Sequence, residues 1–198
     1  VAKKIFEKSS YNHFFEKQVA TALDNKIARA PIYLSLGTEH IPPSLLAALS
    51  DHGLFMKDYY IFAQHRCHSY YLTFGGNPTS LAFELCGDPR GCNGGMGGSA
   101  SVSNTLTANL MGHSGLLGDQ VPIAVGCAHA SQKPSIVILG DAAAEEDYVL
   151  GEWDTFLDLT GEMRKAFGTP YVEAITKYHE DLIGSIWRDV TYECSRNN

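Results

Sequence analysis

The chain has 198 residues, 44% of them hydrophobic and 19% charged, a balance ordinary for a globular domain with a sizeable core. Its 22 acidic residues outnumber 15 basic ones, giving a formal charge of −7, and no long basic run occurs, so nucleic acid is not expected as a partner. No stretch approaches the roughly 18 to 20 apolar residues that cross a bilayer, and the first residues lack an apolar signal core. These features predict a cytoplasmic protein with no membrane partner and a single domain over residues 1–198.

The cysteines favour a reducing compartment. The chain has five of them, an odd number without repeated spacing: Cys67, Cys86, Cys92, Cys127 and Cys194. Such a set fits reduced thiols better than a disulfide framework. A zinc site built from three of these cysteines and His68 is a minor alternative, because structural zinc usually has closely paired ligands and no Cys-x2-Cys pair occurs here.

The first half of the chain predicts two helices and an ordered loop. Apolar residues recur at nearly helical spacing through the first thirty residues, which indicates a surface helix. Further on, Pro42-Pro43 followed by Ser-Leu-Leu-Ala-Ala-Leu indicates a buried helix with proline in its first turn. Six of the twelve residues from Gly87 to Gly98 are glycine, so this stretch is irregular. Its embedded Cys and Met favour an ordered loop over a flexible linker.

The second half predicts an α/β layer. The small residues of 121–131, with proline in the first turn, indicate a helix packed closely on a sheet. The run Ser135-Ile-Val-Ile-Leu139 is the single clear signal of a buried strand, and it ends at Gly140-Asp141. Near the end of the chain, a threonine-proline cap and an apolar stripe predict a helix over residues 169–196.

Three positions carry chemistry that is a weak signal when each is taken alone. Asp141 follows the predicted strand, where a carboxylate can bind Mg²⁺, but aspartate there is as often a helix N-cap. The glycine-spaced turn from Gly112 to Pro122 offers backbone groups to a ligand, yet it lacks the lysine of a phosphate-binding loop, and the alternative is a tight loop entering a helix. Arg66 can clamp a diphosphate with its forked guanidinium, whereas an isolated arginine is usually a surface residue.

Taken in order, the motifs resemble the alpha subunit of thiamine-diphosphate-dependent 2-oxo-acid dehydrogenases, the family of the pyruvate, acetoin and branched-chain enzymes. The matching segments lie between about residues 30 and 150 and are Leu34-Ser-Leu-Gly-Thr-Glu-His40, His65-Arg-Cys-His-Ser-Tyr-Tyr-Leu72, Phe83-Glu-Leu-Cys-Gly-Asp-Pro-Arg-Gly-Cys-Asn-Gly-Gly-Met-Gly-Gly-Ser99, Gly112-His-Ser-Gly-Leu-Leu-Gly-Asp-Gln-Val-Pro122 and Leu139-Gly-Asp-Ala-Ala-Ala-Glu-Glu146. The resemblance implies an α/β thiamine-diphosphate-binding fold of the diphosphate-binding type, with a mostly parallel sheet flanked by helices. It also implies decarboxylation of a small 2-oxo acid together with a beta-type subunit that completes the site.

The same resemblance assigns roles to individual residues. His65 and Arg66 should face the diphosphate of the cofactor, and His68 should lie near the reacting centre as a catalytic residue. Backbone groups of Gly115 and Leu117 should meet the aminopyrimidine ring. At the end of the predicted strand, three consecutive residues complete the implied site, namely the Mg²⁺ ligand Asp141 and the diphosphate-contacting backbone of Ala142 and Ala143.

Three departures from the family pattern leave the function partly open. Ala142 replaces the second glycine of the usual Gly-Asp-Gly, and Gly98-Ser-Ala-Ser101 replaces Gly-Ser-Met-His and so removes a histidine. These changes keep a carboligase or a non-oxidative decarboxylase on the same fold as an alternative. The third departure is that no asparagine occurs between Asp141 and Asn197, although the family pattern has one roughly 25 to 30 residues after the aspartate to complete the metal shell. A non-catalytic structural or regulatory relative is therefore a further alternative.

A central block of the family pattern is missing near residues 150–152. The sequence passes from Tyr-Val-Leu-Gly151 directly into Glu-Trp-Asp-Thr-Phe, which resembles the start of the C-terminal helices of the family. We expect the natural polypeptide to be longer than 198 residues, with the absent block at this junction. The sequence also has too few strand signals for a doubly wound sheet, and this shortage supports the same expectation.

Overall fold

A parallel three-stranded sheet lies at the centre of the computed structural model, which describes residues 2–29, 31–112, 114–140 and 143. The strands are β1 (Tyr60–Phe62), β2 (Leu110–Met111) and β3 (Ser135–Val137), in the order β2-β1-β3. Ile61 of β1 is in register with Leu110 on one side and Ile136 on the other. The predicted α/β class with a parallel sheet and flanking helices is confirmed.

In the described part of the chain, five helices accompany the sheet, namely α1 (Ala2–Asp24), α2 (Ile41–Asp51), α3 (His68–Thr73), α4 (Pro78–Cys86) and α5 (Gln120–Ser131). The three helices expected around residues 1–30, 42–49 and 121–131 are confirmed. Local chemistry explains the limits of α4. The Asn77 side chain accepts a hydrogen bond from the Ser80 N–H at 3.0 Å, and Gly87 ends the helix at φ +70°, a left-handed conformation that suits glycine.

The core cluster draws its buried side chains from the strands β1 and β2 and from the helices α1, α3 and α4, while α5 packs on β1 and β3. Its fully buried large side chains include Tyr59 and Ile61 beside or in β1, Phe74 after α3, Leu81 of α4 and Leu110 of β2. The aromatic rings of Tyr59 and Phe74 pack edge to face, with centroids 6.4 Å apart. Because β1 is the middle strand, it contributes more of the core than β3, whose residues are only half-buried.

The strand predicted at 135–139 is confirmed in place as β3, but it is half-buried rather than buried, and β1 and β2 gave no recognisable signal. The strand that was predicted is a half-buried edge strand that ends at Val137, and the central strand β1 was not predicted. The reason is length: β1 has three residues and β2 has two, which is shorter than the four to eight residues over which strand patterns are recognisable. A shortage of strands therefore gives no support to a missing block.

The glycine-rich loop after α4 is irregular and ordered, as predicted. The buried carboxylate of Glu84 accepts four backbone hydrogen bonds from this loop. Its Oε2 binds the N–H groups of Asn93 and Gly95 at 2.6 and 2.9 Å, and its Oε1 binds those of Gly97 and Gly98 at 2.7 and 3.0 Å. The loop is thus folded around the carboxylate of Glu84, and its glycines permit the backbone to come close to this side chain. A Cβ at Gly91, for example, would lie 2.6 Å from Glu84 Cα.

Two expectations fall outside the described residues. These are the helix predicted over 169–196 and the interruption predicted near 150–152, which bears on whether 1–198 is one domain. All residues that the structure describes belong to one compact unit. Within them, no helix combines the length and the apolar character that a membrane span requires.

Candidate functional site

Three loops that follow the strands meet at the carboxyl edge of the sheet. Residues 63–67 follow β1, residues 112–119 follow β2, and residues 138–140 follow β3. Because all three strands are parallel and adjacent, their carboxyl ends lie on the same side. This is the edge where open α/β sheets bind ligands. It brings together the predicted positions His65, Arg66, Gly115 and Leu117 and the segment that leads into Asp141.

The loop after β1 presents a cation at this edge. The Arg66 side chain is exposed, and the salt bridges among the described residues do not include it. Its backbone carbonyl accepts a hydrogen bond from Ser35 Oγ at 3.2 Å, which fixes the chain at this point. The half-buried ring of His65 packs edge-on against Tyr33, with 4.7 Å between ring centroids. The geometry leaves the guanidinium of Arg66 available to an anion.

The loop after β2 is a tight turn with an accessible backbone. Gly115 has φ +103°, and a Cβ added there would meet nothing within 4 Å, so the space in front of it is open. The turn is closed by a hydrogen bond from Ser114 Oγ to the Asp119 carboxylate and by one from the Leu116 N–H to Ser114 Oγ at 3.2 Å. Leu116 and Leu117 are exposed, at 69% and 36%. The turn therefore offers backbone groups beside apolar surface.

Two glutamines that sequence reasoning missed hold the end of β3. The Gly140 N–H donates to Gln64 Oε1 at 2.9 Å, and Gln120 Nε2 donates to the Ile138 carbonyl at 3.3 Å. Gln64 lies directly before His65, and Gln120 is the first residue of α5, so the three loops are tied to one another. Gln120 lies within the family-like segment 112–122 and Gln64 lies outside the matching segments, but neither role could be predicted, because each side chain acts on a backbone group distant in sequence.

Asp141 and Ala142, predicted to bind Mg²⁺ and diphosphate, lie outside the described residues, and Ala143 is buried at 1% exposure. In the described ranges, no group of three or more His, Cys, Asp or Glu side chains could hold a metal.

The described part of the edge offers groups that suit a diphosphate and a flat heterocyclic ring. Arg66 supplies a forked cation, and the open backbone at Gly115 lies beside exposed leucines. Within the described residues, Gln64 Nε2 and Gln120 Oε1 are buried without a hydrogen-bond partner. A buried donor and a buried acceptor left unpaired cost free energy, so both are suited to a polar ligand or a bridging water.

His68 has a different setting from the one predicted. It is fully buried, with Nδ1 3.1 Å from Glu16 Oε1 and Nε2 2.8 Å from Ser99 Oγ. A ring without an exposed face and with both nitrogens engaged cannot touch a substrate in this conformation. The catalytic role stays a prediction, and the geometry favours a role in positioning.

The buried thiol of the neighbouring Cys67 is unsuited to a catalytic or metal-binding role. Burial raises the pKa of its thiol to about 12, so it remains protonated at neutral pH and is a poor nucleophile or metal ligand. Its Sγ lies 3.9 Å from the Ser99 carbonyl, which makes it part of the packing around His68. The described cysteines Cys67, Cys86, Cys92 and Cys127 are all free thiols.

Comparison with known protein families identifies the class of protein to which this chain belongs. The family profile described as "Dehydrogenase E1 component" matches residues 16–151, more than half of the chain and all three loops of the edge. The chain belongs to the dehydrogenase E1 component family. Membership of this family implies thiamine diphosphate as the cofactor.

Curated relatives that match the chain are pyruvate dehydrogenase E1 alpha subunits. The pyruvate dehydrogenase E1 component subunit alpha, mitochondrial, of Chaetomium thermophilum is 28% identical over 158 residues, which cover 75% of this chain and 36% of the relative. The equivalent protein of Dictyostelium discoideum is 30% identical over 126 residues, 61% of this chain and 31% of the relative. In Oryza sativa the subunit alpha-1 is 31% identical over 126 residues, with 61% and 30% covered. The chain spans about a third of the length of the curated relatives that it matches.

These comparisons confirm the resemblance to E1 alpha subunits and correct the predicted location. The cytoplasmic expectation is wrong, because the relatives are named as mitochondrial proteins. A search for an apolar signal core tests only for a secretory signal. Mitochondrial targeting segments are amphipathic and basic, so that test does not detect them.

Proposed function

We propose that this chain is the alpha-type half of a thiamine-diphosphate- and Mg²⁺-dependent enzyme that decarboxylates a 2-oxo acid. The observation that carries the proposal is the meeting of three loops, all within the family match, at the carboxyl edge of one parallel sheet. The names of the relatives make pyruvate the first substrate to test and mitochondria the expected compartment. A beta-type subunit is the expected partner, since the family builds its site between two chains.

Each loop has a part in holding the cofactor. Arg66 binds the diphosphate through its forked guanidinium, with His65 beside it. The backbone of Gly115 and Leu117 receives the aminopyrimidine ring at the open turn after β2. Asp141 binds Mg²⁺, with the backbone of the two following alanines next to the diphosphate. One carboxylate is a sufficient protein anchor, because magnesium takes its other ligands from phosphate oxygens and water.

The protein supplies binding and orientation, whereas the bound cofactor supplies the electron sink that decarboxylation requires. Gln64 and Gln120 fix the relative positions of the three loops, so the cofactor would meet a preformed edge. The exposed Leu116 and Leu117 would exclude water from one side of the bound ring.

Calorimetry with thiamine diphosphate and Mg²⁺ tests the proposal, on the chain alone and together with a beta-type subunit. Arg66→Lys should weaken binding about tenfold or more, because a point charge cannot replace the bidentate contact. Arg90→Lys is the matched control, since Arg90 is an exposed arginine paired with Asp88. Asp141→Ala should abolish the Mg²⁺-dependent part of the affinity.

The outcomes separate the alternatives. If the parent complex binds no thiamine diphosphate, the proposal fails and a non-catalytic relative is favoured, in agreement with the missing asparagine after Asp141. If the complex binds cofactor and converts the 2-oxo acid without an electron acceptor, a carboligase or non-oxidative decarboxylase replaces the dehydrogenase. Equal affinities of the parent and Arg66→Lys would show that Arg66 is only a surface residue.

A further inference from the structure

A chain of hydrogen bonds through buried His68 connects α1 with the segment beside the candidate site. Glu16 of α1 bonds to His68 Nδ1, and His68 Nε2 bonds to Ser99 Oγ at the exit of the glycine-rich loop. Ser99 Oγ also accepts a hydrogen bond from the backbone N–H of Tyr33 at 2.9 Å. Glu16, His68 and Ser99 are each no more than 1% exposed. None of these bonds is local in sequence, so their residues are positioned by the tertiary fold alone.

One placement of protons satisfies the whole chain of bonds. Because Ser99 Oγ already accepts from Tyr33, its single proton can be donated to His68 Nε2, while the proton on Nδ1 is donated to Glu16. This tautomer is assigned from the hydrogen-bond partners of the ring. All donors then point from Tyr33 towards Glu16, an arrangement in which each hydrogen bond polarises and strengthens the next.

The order carboxylate, imidazole, hydroxyl is that of a hydrolase triad, but the burial excludes such a reaction here. A nucleophilic serine must contact its substrate, and Ser99 is 1% exposed with its hydroxyl oxygen bonded on two sides. A polar network fixed in a core has a different use, because it holds the elements it connects in one arrangement. Within the described residues, Glu16 Oε2 is the one carboxylate or ring atom of this network without a hydrogen-bond partner.

The network contacts the segment 65–66 at the carboxyl edge of the sheet at two points. Tyr33, which donates to Ser99, packs its ring at 70° against the ring of His65. His68 itself begins α3 three residues after His65, so the short segment that carries Arg66 is held at both ends. The bond from Ser35 Oγ to the Arg66 carbonyl adds a third attachment from the same part of the chain as Tyr33.

We propose that Glu16, His68 and Ser99 are positioning residues that hold the His65–Arg66 segment, through Tyr33, in the geometry that receives a diphosphate. The identity of this ligand rests on the proposed function, whereas the ordering of His65 does not. The inference reassigns His68 from a residue that touches the substrate to one that acts through its neighbours.

The first test measures the position of His65 without any cofactor. The full chain is modified with diethylpyrocarbonate, and the rate at His65 is followed by peptide mass spectrometry, with exposed His40 and His52 as internal references. Ser99→Ala should raise the rate at His65 about threefold or more, because Tyr33 loses its anchor and no longer shields the ring. Tyr33→Leu should have the same effect.

Ser69→Ala is the matched control. Ser69 is also 1% exposed, and its hydroxyl has no hydrogen-bond partner among the described residues, so the variant removes the same atom from the core without breaking the network. If Ser99→Ala does not fold, Ser99→Cys keeps the volume and weakens both hydrogen bonds, and a smaller increase at His65 is expected. Equal rates at His65 in the Ser99 and Ser69 variants would overturn the proposal.

The second test measures thiamine diphosphate binding by calorimetry, below the unfolding temperature of every variant. Ser99→Ala should bind thiamine diphosphate about tenfold more weakly than the parent, because a displaced Arg66 can no longer make its two hydrogen bonds to the diphosphate. Ser69→Ala should bind with the affinity of the parent. Parent-like affinity in Ser99→Ala contradicts the inference. If the parent itself binds no thiamine diphosphate, the proposed function fails, and the labelling of His65 still decides whether the network positions this segment.

Discussion

Glu39 is a single residue that joins three parts of the fold. Its carboxylate accepts a hydrogen bond from the Gly37 N–H at 2.8 Å and lies 2.7 Å from His13 Nδ1 on α1, just before α2 begins. Asn12 donates to its backbone carbonyl at 3.2 Å. Burial raises the pKa of Glu39, but the hydrogen bonds from His13 and the backbone outweigh it and leave the pKa below its ordinary value.

This lowered pKa predicts how stability depends on pH. A carboxyl group with a lowered folded pKa contributes stability that is fully present above its unfolded pKa and is lost as the pH falls through the folded pKa. Glu39→Gln should therefore lower the free energy of unfolding by about 1 to 2 kcal/mol at neutral pH. The difference in the free energy of unfolding between the parent and the variant should shrink in acid, at pH values below the ordinary pKa of glutamate.

Thermal unfolding of parent and variant across this pH range measures the effect. Glu7→Gln is the control, since Glu7 is an exposed glutamate on α1. A difference between parent and Glu39→Gln that stays constant into acid would refute the assigned role of the carboxylate.

At the scale of elements, the helix α4 and the glycine-rich loop behave as one unit. Glu84 lies near the end of α4 and binds four N–H groups of the loop, so the helix and the loop should order together. The loop ends at Ser99, which belongs to the buried network around His68. The composition of 87–98 predicted an irregular loop, but nothing in the composition identified the anion that orders it.

Glu84→Gln tests this unit. An amide turns its NH₂ group towards two of the four N–H donors, so those donors lose their acceptor inside the protein, at a cost of about 2 to 4 kcal/mol. The unfolding temperature should fall by several degrees, and amide hydrogen exchange should accelerate in residues 93–98 more than elsewhere. Glu7→Gln again serves as the exposed control. Unchanged exchange in the loop would mean that the carboxylate does not order it.

At the scale of the whole molecule, the family match stops at residue 151, at the junction where a block of the family pattern was predicted to be absent. We expect the polypeptide isolated from its natural source to be several kilodaltons heavier than the 21.6 kDa of these residues. Intact mass spectrometry decides the question. A mass near 21.6 kDa would reject the missing block and would favour a chain with an incomplete metal shell.

The sequence by itself determined the helices α1, α2 and α5, the irregular glycine loop, the α/β class and, through ordered motifs, the family. These features depend on local spacing and composition, so a short stretch of sequence is enough to predict each of them. Only the tertiary structure decided the sheet order, the central position of β1, the burial of His68 and the convergence of three loops at one edge. Strands of two and three residues leave almost no periodic signal, and partners such as Glu16 and His68, or Gln64 and Gly140, are separated by 52 and 76 residues. Their pairing depends on the packing of the whole core, because only the tertiary fold brings such distant residues within hydrogen-bond distance.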